Sequence, residues 1–252
     1  SVRVRSELAV LMGVIPNPYT MFPPASGGSV TNPVSLLNDK SGRLVGTGTY
    51  TTAATGTPTV GGLLIATVAT CTNGGAAHAD ISLTDSLGHT WTPLTMFSRV
   101  GSGSDYIGLR CFIAPNGAAS TFTVTVDAGA TDIYSYNVMV CEVTGQHASP
   151  LGSADGNVSN TGNGAVAITL DATPAVGSQV FAALCTYETN DATLQITPGA
   201  AAPWIELAEA GRSVPNSQTQ YRTGSASTAV DWDDNGTSVA GYLGHAFEIV
   251  AA

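Results

Sequence analysis

Ile81-Ser82-Leu83-Thr84-Asp85-Ser86-Leu87-Gly88-His89-Thr90-Trp91-Thr92-Pro93-Leu94 opens by alternating apolar and hydroxyl side chains, the period-2 mark of a half-buried strand. Asp85 to Gly88 then supply turn chemistry, and Thr90, Trp91 and Thr92 start a return strand. The stretch predicts a β-hairpin with a large aromatic on one arm.

About a hundred residues later the same order of features returns. Val60-Gly61-Gly62-Leu63-Leu64-Ile65-Ala66 is answered by Val176-Gly177-Ser178-Gln179-Val180-Phe181-Ala182, and Trp91-Thr92-Pro93-Leu94 by Trp204-Ile205-Glu206-Leu207. Phe122 to Asp127 matches Thr228 to Asp233, and Val138 to Val143 matches Gly244 to Ile249. The offset between partners falls from 116 at Val60 and Val176 to 113 at the tryptophans and 106 at Val143 and Ile249. Length differences therefore sit between strands, as expected of two copies of one β unit.

Short strands recur from residue 46 onward, separated by Gly, Asn, Ser and Pro, and no long 3.6-period segment appears. A single antiparallel sheet leaves one apolar face wet, so the copies are expected to cover each other. The expected fold is an all-β, two-sheet antiparallel β-sandwich, jelly-roll-like, built from two related halves. The pattern places an extended Pro-rich arm at 1–44 and the sandwich at 45–252. Within it, half one spans about 58–145, a connection 146–174 and half two about 175–250. Pattern alone leaves open whether each copy forms one sheet or the two interleave.

The arm has its own character. Ser6 to Met12 reads as one short helix; prolines 16, 18, 23 and 24 then enforce extended backbone. Leu11, Met12, Ile15, Tyr19, Met21 and Phe22 form an apolar strip that a solvated linker would not need. Two readings stand side by side: the strip packs on its own sandwich, or it grips a neighbouring subunit or a particle surface. Arg3 and Arg5 before Leu8 to Ile15 hint at a secretion signal, but Pro16-Asn17-Pro18 stands where a cleavage site is expected, so the segment is read as mature protein.

Net charge is −10, carried as +2 on residues 1–44 and −12 on the rest. An acidic body without a basic stripe argues against nucleic-acid binding. No apolar run reaches the roughly 18 residues needed to cross a bilayer, so no membrane partner is expected. Charged residues make up only 10%, with Gly, Ser, Thr and Asn filling the surface, a composition associated with extracellular and virion proteins. Cys71, Cys111, Cys141 and Cys185 lie in apolar strands without metal-ligand spacing and read as buried thiols.

Candidate chemistry is sparse. Asp231, Asp233 and Asn235 match the start of a calcium loop, but the twelfth position is Tyr242 and no helices flank it. Asn235-Gly236 as a type I′ turn is the simpler account. The four histidines, His78, His89, His147 and His245, have no partner at catalytic spacing, although His78 and Asp80 could clip a metal against another carboxylate. Glu142 and Glu248 are read as one solvent-facing position used twice. Trp91, Trp204 and Trp232, with Tyr106, Tyr187 and Tyr221, offer sugar-stacking surfaces or core packing. No cofactor is expected and an enzyme is the least expected outcome.

Leu83-Thr84-Asp85-Ser86-Leu87-Gly88-His89-Thr90-Trp91, with Gly61 to Ala66, Phe122 to Val126, Cys141-Glu142-Val143-Thr144-Gly145 and Ser149-Pro150-Leu151, resembles a set of bacterial and phage β-sandwich proteins. The resemblance covers about residues 45–250 and is specific for a fold, not an activity. His89 stands where that set has Asn, and the Pro-rich arm lies outside its pattern. Members of that set occur in virions and among secreted bacterial proteins. With the low charge, the Gly/Thr-rich composition, the lack of a catalytic cluster and the apolar arm, the expectation is a non-enzymatic structural virion protein, a capsid decoration or minor capsid protein of a tailed phage anchored by its arm. By analogy this implies a homo-oligomer, guessed as a trimer, bound to a major capsid or other virion protein. Alternatives are a receptor- or carbohydrate-binding module on a tail or cell surface, with a glycan as ligand, or a subunit of an extracellular filament.

Overall fold

The ten residues Leu63–Thr72 are all buried, which one covered face cannot explain. Alternate side chains enter different cores: Leu63, Ile65, Ala69 and Cys71 point one way, and Leu64, Ala66 and Val68 the other. The strand therefore lies in a sheet covered on both faces. In this computed structural model the described residues are 34–46, 49–72, 78, 80–100, 105–128, 133–160, 166–187, 197–198, 204–210, 215–223, 227–233 and 241–252.

The first eight strands are β1 (Val34–Gly46), β2 (Thr49–Thr51), β3 (Leu63–Thr72), β4 (Ser82–Asp85), β5 (Thr92–Val100), β6 (Tyr106–Pro115), β7 (Val124–Asp127) and β8 (Ile133–Val143). The last eight are β9 (Gln146–Asn160), β10 (Val166–Thr169), β11 (Gln179–Thr186), β12 (Thr197–Pro198), β13 (Ile205–Ala210), β14 (Asn216–Thr223), β15 (Ala229–Asp233) and β16 (Tyr242–Ala251). The all-β, antiparallel sandwich expected from sequence is present, with four sheets. The first set forms a five-stranded sheet β1-β8-β3-β6-β5 and a three-stranded sheet β2-β7-β4. The last set forms β9-β16-β11-β14-β13 and β10-β15-β12. Adding eight to each label of the first pair yields the second.

Three cores separate the four layers. The central one packs the two five-stranded sheets on each other, joining Ile107, Leu109, Cys111 and Cys141 to Phe181, Cys185, Leu243 and Phe247. Outer cores lie under the small sheets, one around Leu64, Phe112 and Phe122, the other around Val180, Ile168, Trp204 and Trp232.

Three sequence expectations are corrected. Residues 34–44 belong to β1, which pairs with β8, so the arm ends at the sheet edge and not at 44. Residues 146–160 form β9, paired with β16 along its length, where a connection was expected. Ile81 to Leu94 is no hairpin: β4 pairs with β7 and β5 with β6, so the chain crosses between sheets at this point.

All four cysteines are free and buried. Cys111 lies opposite Thr67 and Cys141 opposite Ile65 on the two strands flanking β3, so two strand spacings and two residues of rise put their backbones roughly 12 Å apart, beyond the ~7 Å limit for a disulfide. Burial raises the thiols of Cys71, to about 12, and of Cys141 and Cys185. They behave as apolar filler.

Candidate functional site

Three carboxylates organise turns at the ends of the strands: Asp85, Glu142 and Glu248. Asp85 closes the arch between β4 and β5: its Oδ1 accepts the backbone N–H of Leu87 at 2.8 Å, and its Oδ2 accepts Trp91 Nε1 at 2.6 Å. His89 Nδ1 lies 3.1 Å from Oδ1, and His89 Nε2 lies 3.1 Å from Asn116 Oδ1. An Asx-type bond at the strand end thus widens the turn and sends the chain to the next sheet, with Trp91 buried beneath it.

Glu142 and Glu248 are equivalent, but both are buried and not solvent-facing. Glu142 accepts the N–H of Thr59 at 2.5 Å; Glu248 accepts those of Ala175 at 2.6 Å and Ala154 at 3.2 Å. Each holds a type II turn whose third residue is a glycine at positive φ, Gly61 at 83° and Gly177 at 85°. These are structural positions used twice. They do not form an acid–base pair.

A concave feature lies on the flank where the edge strands β5 and β9 line a common groove. A groove of about 260 Å³ is lined by Pro93, Leu94 and Thr95 from β5, Leu151, Gly152, Ala154 and Asp155 from β9, and His245 and Phe247 from β16. Both edges are irregular here: β5 slips register between Pro93 and Met96, and β9 slips opposite Phe247 and Ile249. These bulges bend the edges apart and open the groove. Gly152 faces the Glu248 carboxylate at a distance that leaves no room for a side chain.

Asp155 and His245 are the titratable groups of the groove. His245 Nε2 donates to Asp155 Oδ1 at 2.9 Å; the same oxygen accepts the Gly156 N–H at 2.8 Å. Burial pushes the imidazole pKa down, but the bond to Asp155 and the neighbouring Cys111 thiol outweigh it and hold the pKa up at about 9. The bond to His245 in turn lowers the Asp155 carboxyl below its usual value. Cys111, His245 and Asp155 are the residue types of a nucleophilic triad, but they run in the wrong order. The thiol is fully buried in the central core and the carboxylate is half exposed, so a molecule in the groove meets the carboxylate and cannot reach the sulfur. The groove offers binding contacts, and its neighbouring cysteine is closed off from them.

The residues singled out from sequence fall elsewhere. Leu11, Met12, Ile15, Tyr19, Met21 and Phe22 lie outside the described residues, as does Asn235. Asp231 and Asp233 belong to β15, paired with β10 and β12, and so sit in a ladder and not in a calcium loop. Among the described residues no cluster of His, Cys, Asp and Glu could hold a metal ion. His78 is buried against Thr70, whose hydroxyl lies 3.2 Å from its Nε2, and Asp80 pairs with Arg110. Trp91, Trp204 and Trp232 are buried in the outer cores, as is Tyr187 in the central one, which resolves the stacking-or-core alternative for them as core. No helix among the described residues is long and apolar enough to cross a membrane. Searches for a matching family model, curated protein or solved structure found none.

Proposed function

We propose that the chain is a non-enzymatic structural protein of a virion, a decoration or minor capsid protein of a tailed phage held by the segment that precedes β1. In this reading two jelly-roll-like units, copies of one ancestor, are fused back to back and act by surface contact as a homo-oligomer on a capsid protein.

The observation that carries it is the wiring. Strand order 1-8-3-6 in one sheet, over 2-7-4 in the other, recurs in the second set of strands and supports reading each set as a jelly-roll variant whose fifth strand has moved to the larger sheet. Jelly rolls are a common architecture of virion shells, which supports the reading by analogy of fold. The sequence resemblance and the polar, weakly charged composition point the same way.

Purified particles from the native source test the reading. Mass spectrometry and electron microscopy are expected to find the chain at repeating positions on the shell, with residues 1–33 against a neighbouring protein. Particles that lack the chain would sink the proposal. So would a deletion of residues 1–33 that binds particles as well as the full chain does.

A further inference from the structure

The groove between β5 and β9 has two kinds of wall. Pro93, Leu94, Leu151 and Phe247 present carbon, and Leu151 is 40% exposed, an apolar side chain left facing the opening. Thr95, Asp155 and His245 supply the polar contacts.

Asp155 is the key group. Its Oδ1 is fixed by the imidazole and by the Gly156 amide, and neither engages Oδ2. The carboxylate is thus pre-oriented, with one oxygen held and the other available, which lowers the ordering cost of binding. Its charge is balanced by an imidazolium that stays protonated through neutral pH, so the groove calls for hydroxyl donors and not for a cation. At about 260 Å³ it falls just below the roughly 300–1,000 Å³ of drug-sized sites, enough for one ring.

A pyranose ring has this combination, with a face of C–H groups and a rim of hydroxyl donors. We propose that the groove binds one neutral hexopyranose unit, its C–H face on Leu94, Leu151 and Phe247 and its hydroxyls on Asp155 Oδ2 and Thr95. The inference does not depend on the virion reading, since a sugar site serves a surface protein of any origin.

Saturation-transfer NMR on the full chain with glucose, galactose, mannose and N-acetylglucosamine at millimolar concentration tests it. At least one sugar is expected to receive saturation. Asp155→Asn is expected to weaken that sugar about tenfold or more, as loss of a charged acceptor does. Leu151→Trp, at an exposed position that leaves the core intact, is expected to fill the groove and abolish binding. Val176→Thr, in a remote turn, is expected to change nothing. A glycan array with the same variants separates a free monosaccharide from a terminal glycan residue. Absence of signal for every sugar, with the chain folded, overturns the proposal; so does binding that survives both Asp155→Asn and Leu151→Trp.

Discussion

Beside Ala66, across the β3–β6 ladder, stands Phe112; beside Ala182, at the same place in the second pair of sheets, stands Gln220. One neighbouring rung differs the same way, with Ala114 against Arg222, while the other is polar in both, Arg110 against Gln218. The first outer core is filled by carbon, around Phe112 and Phe122. The second has a polar stripe along β14 whose members are as buried as any aromatic, Arg222 at 0% exposure included. That stripe reaches β15 through directional bonds. Trp232 Nε1 donates to Gln218 Oε1 at 2.5 Å, Gln220 Nε2 to Asp231 O at 3.0 Å, and Arg222 Nη1 to Ala229 O at 2.8 Å. Arg222 also lies 4.6 Å over the Trp204 ring. One wiring thus tolerates two fillings: the first is held by area removed from water, the second by bonds that leave Gln218 Nε2, Gln220 Oε1 and Arg222 Nε without partners.

The comparison breaks most visibly at its matched position. Phe112→Ala opens a cavity in a dry core and is expected to cost about 3–5 kcal/mol. Gln220→Leu removes one hydrogen bond together with one unpartnered oxygen and is expected to stay within about 1 kcal/mol of wild type. Urea midpoints of both variants measure this. A Gln220→Leu loss as large as that of Phe112→Ala would mean that the polar stripe is as strict as the apolar core.

The two buried glutamates sharpen the contrast at the next scale. Glu248 satisfies two backbone donors and Glu142 one. Truncation strands buried N–H groups at about 1–3 kcal/mol. Glu248→Ala is therefore expected to lower the melting temperature more than Glu142→Ala does. Equal losses would show that the 3.2 Å bond to Ala154 carries no weight.

Much of this architecture is legible in the residues, and what is not has a physical cause. Runs such as Leu63–Thr72 and Gln179–Thr186 announce buried strands because both faces are covered. The two strands missing from the sequence reading are β1 and β9, which hold equivalent places at sheet edges. Edge strands meet a core along part of their length only, and register shifts opposite Phe247 and Ile249 break any period in β9. The missed groove follows from the missed strand. His245 is visible in an apolar run, but its partner Asp155 is 90 residues away on a stretch with no strand signature. The repeat, by contrast, locates Glu142 and Glu248 correctly and misjudges only their surroundings, because position in a repeat does not reveal what the neighbouring loop covers.

The histidines extend the comparison to pH. Burial lowers His78 to about 4, so it folds neutral; its contribution is full above about 6.5 and declines as pH falls toward 4. His245, raised to about 9, contributes fully below about 6.5, and that part is lost as pH rises through 9. The first set of strands is thus the acid-sensitive side and the second the alkaline-sensitive one. The stability difference between wild type and His245→Gln is expected to shrink between pH 6.5 and 9, while that for His78→Gln grows over the acid range as pH rises. A flat difference for His245→Gln across the alkaline range would remove the Asp155 pair as its cause.

The smallest expected effect is a test of sameness. Val60 and Val176 occupy the second position of matching type II turns, each closed by a bond from the fourth residue's N–H to the first residue's carbonyl, at 3.0 Å and 3.1 Å. Both side chains face water, at 60% and 102% exposure. A side chain that touches water in the folded and unfolded chain alike adds little to stability, so Val60→Thr and Val176→Thr are each expected to stay within about 0.5 kcal/mol of wild type. Proline suits this position of the turn, and Val60→Pro and Val176→Pro are expected to gain about 0.4–1 kcal/mol each by restricting the unfolded chain. Equal gains at the two sites mean that one turn was built twice. A gain at one and a loss at the other would locate a difference in backbone that the shared wiring conceals, and would confine the likeness of the two sets to their strands.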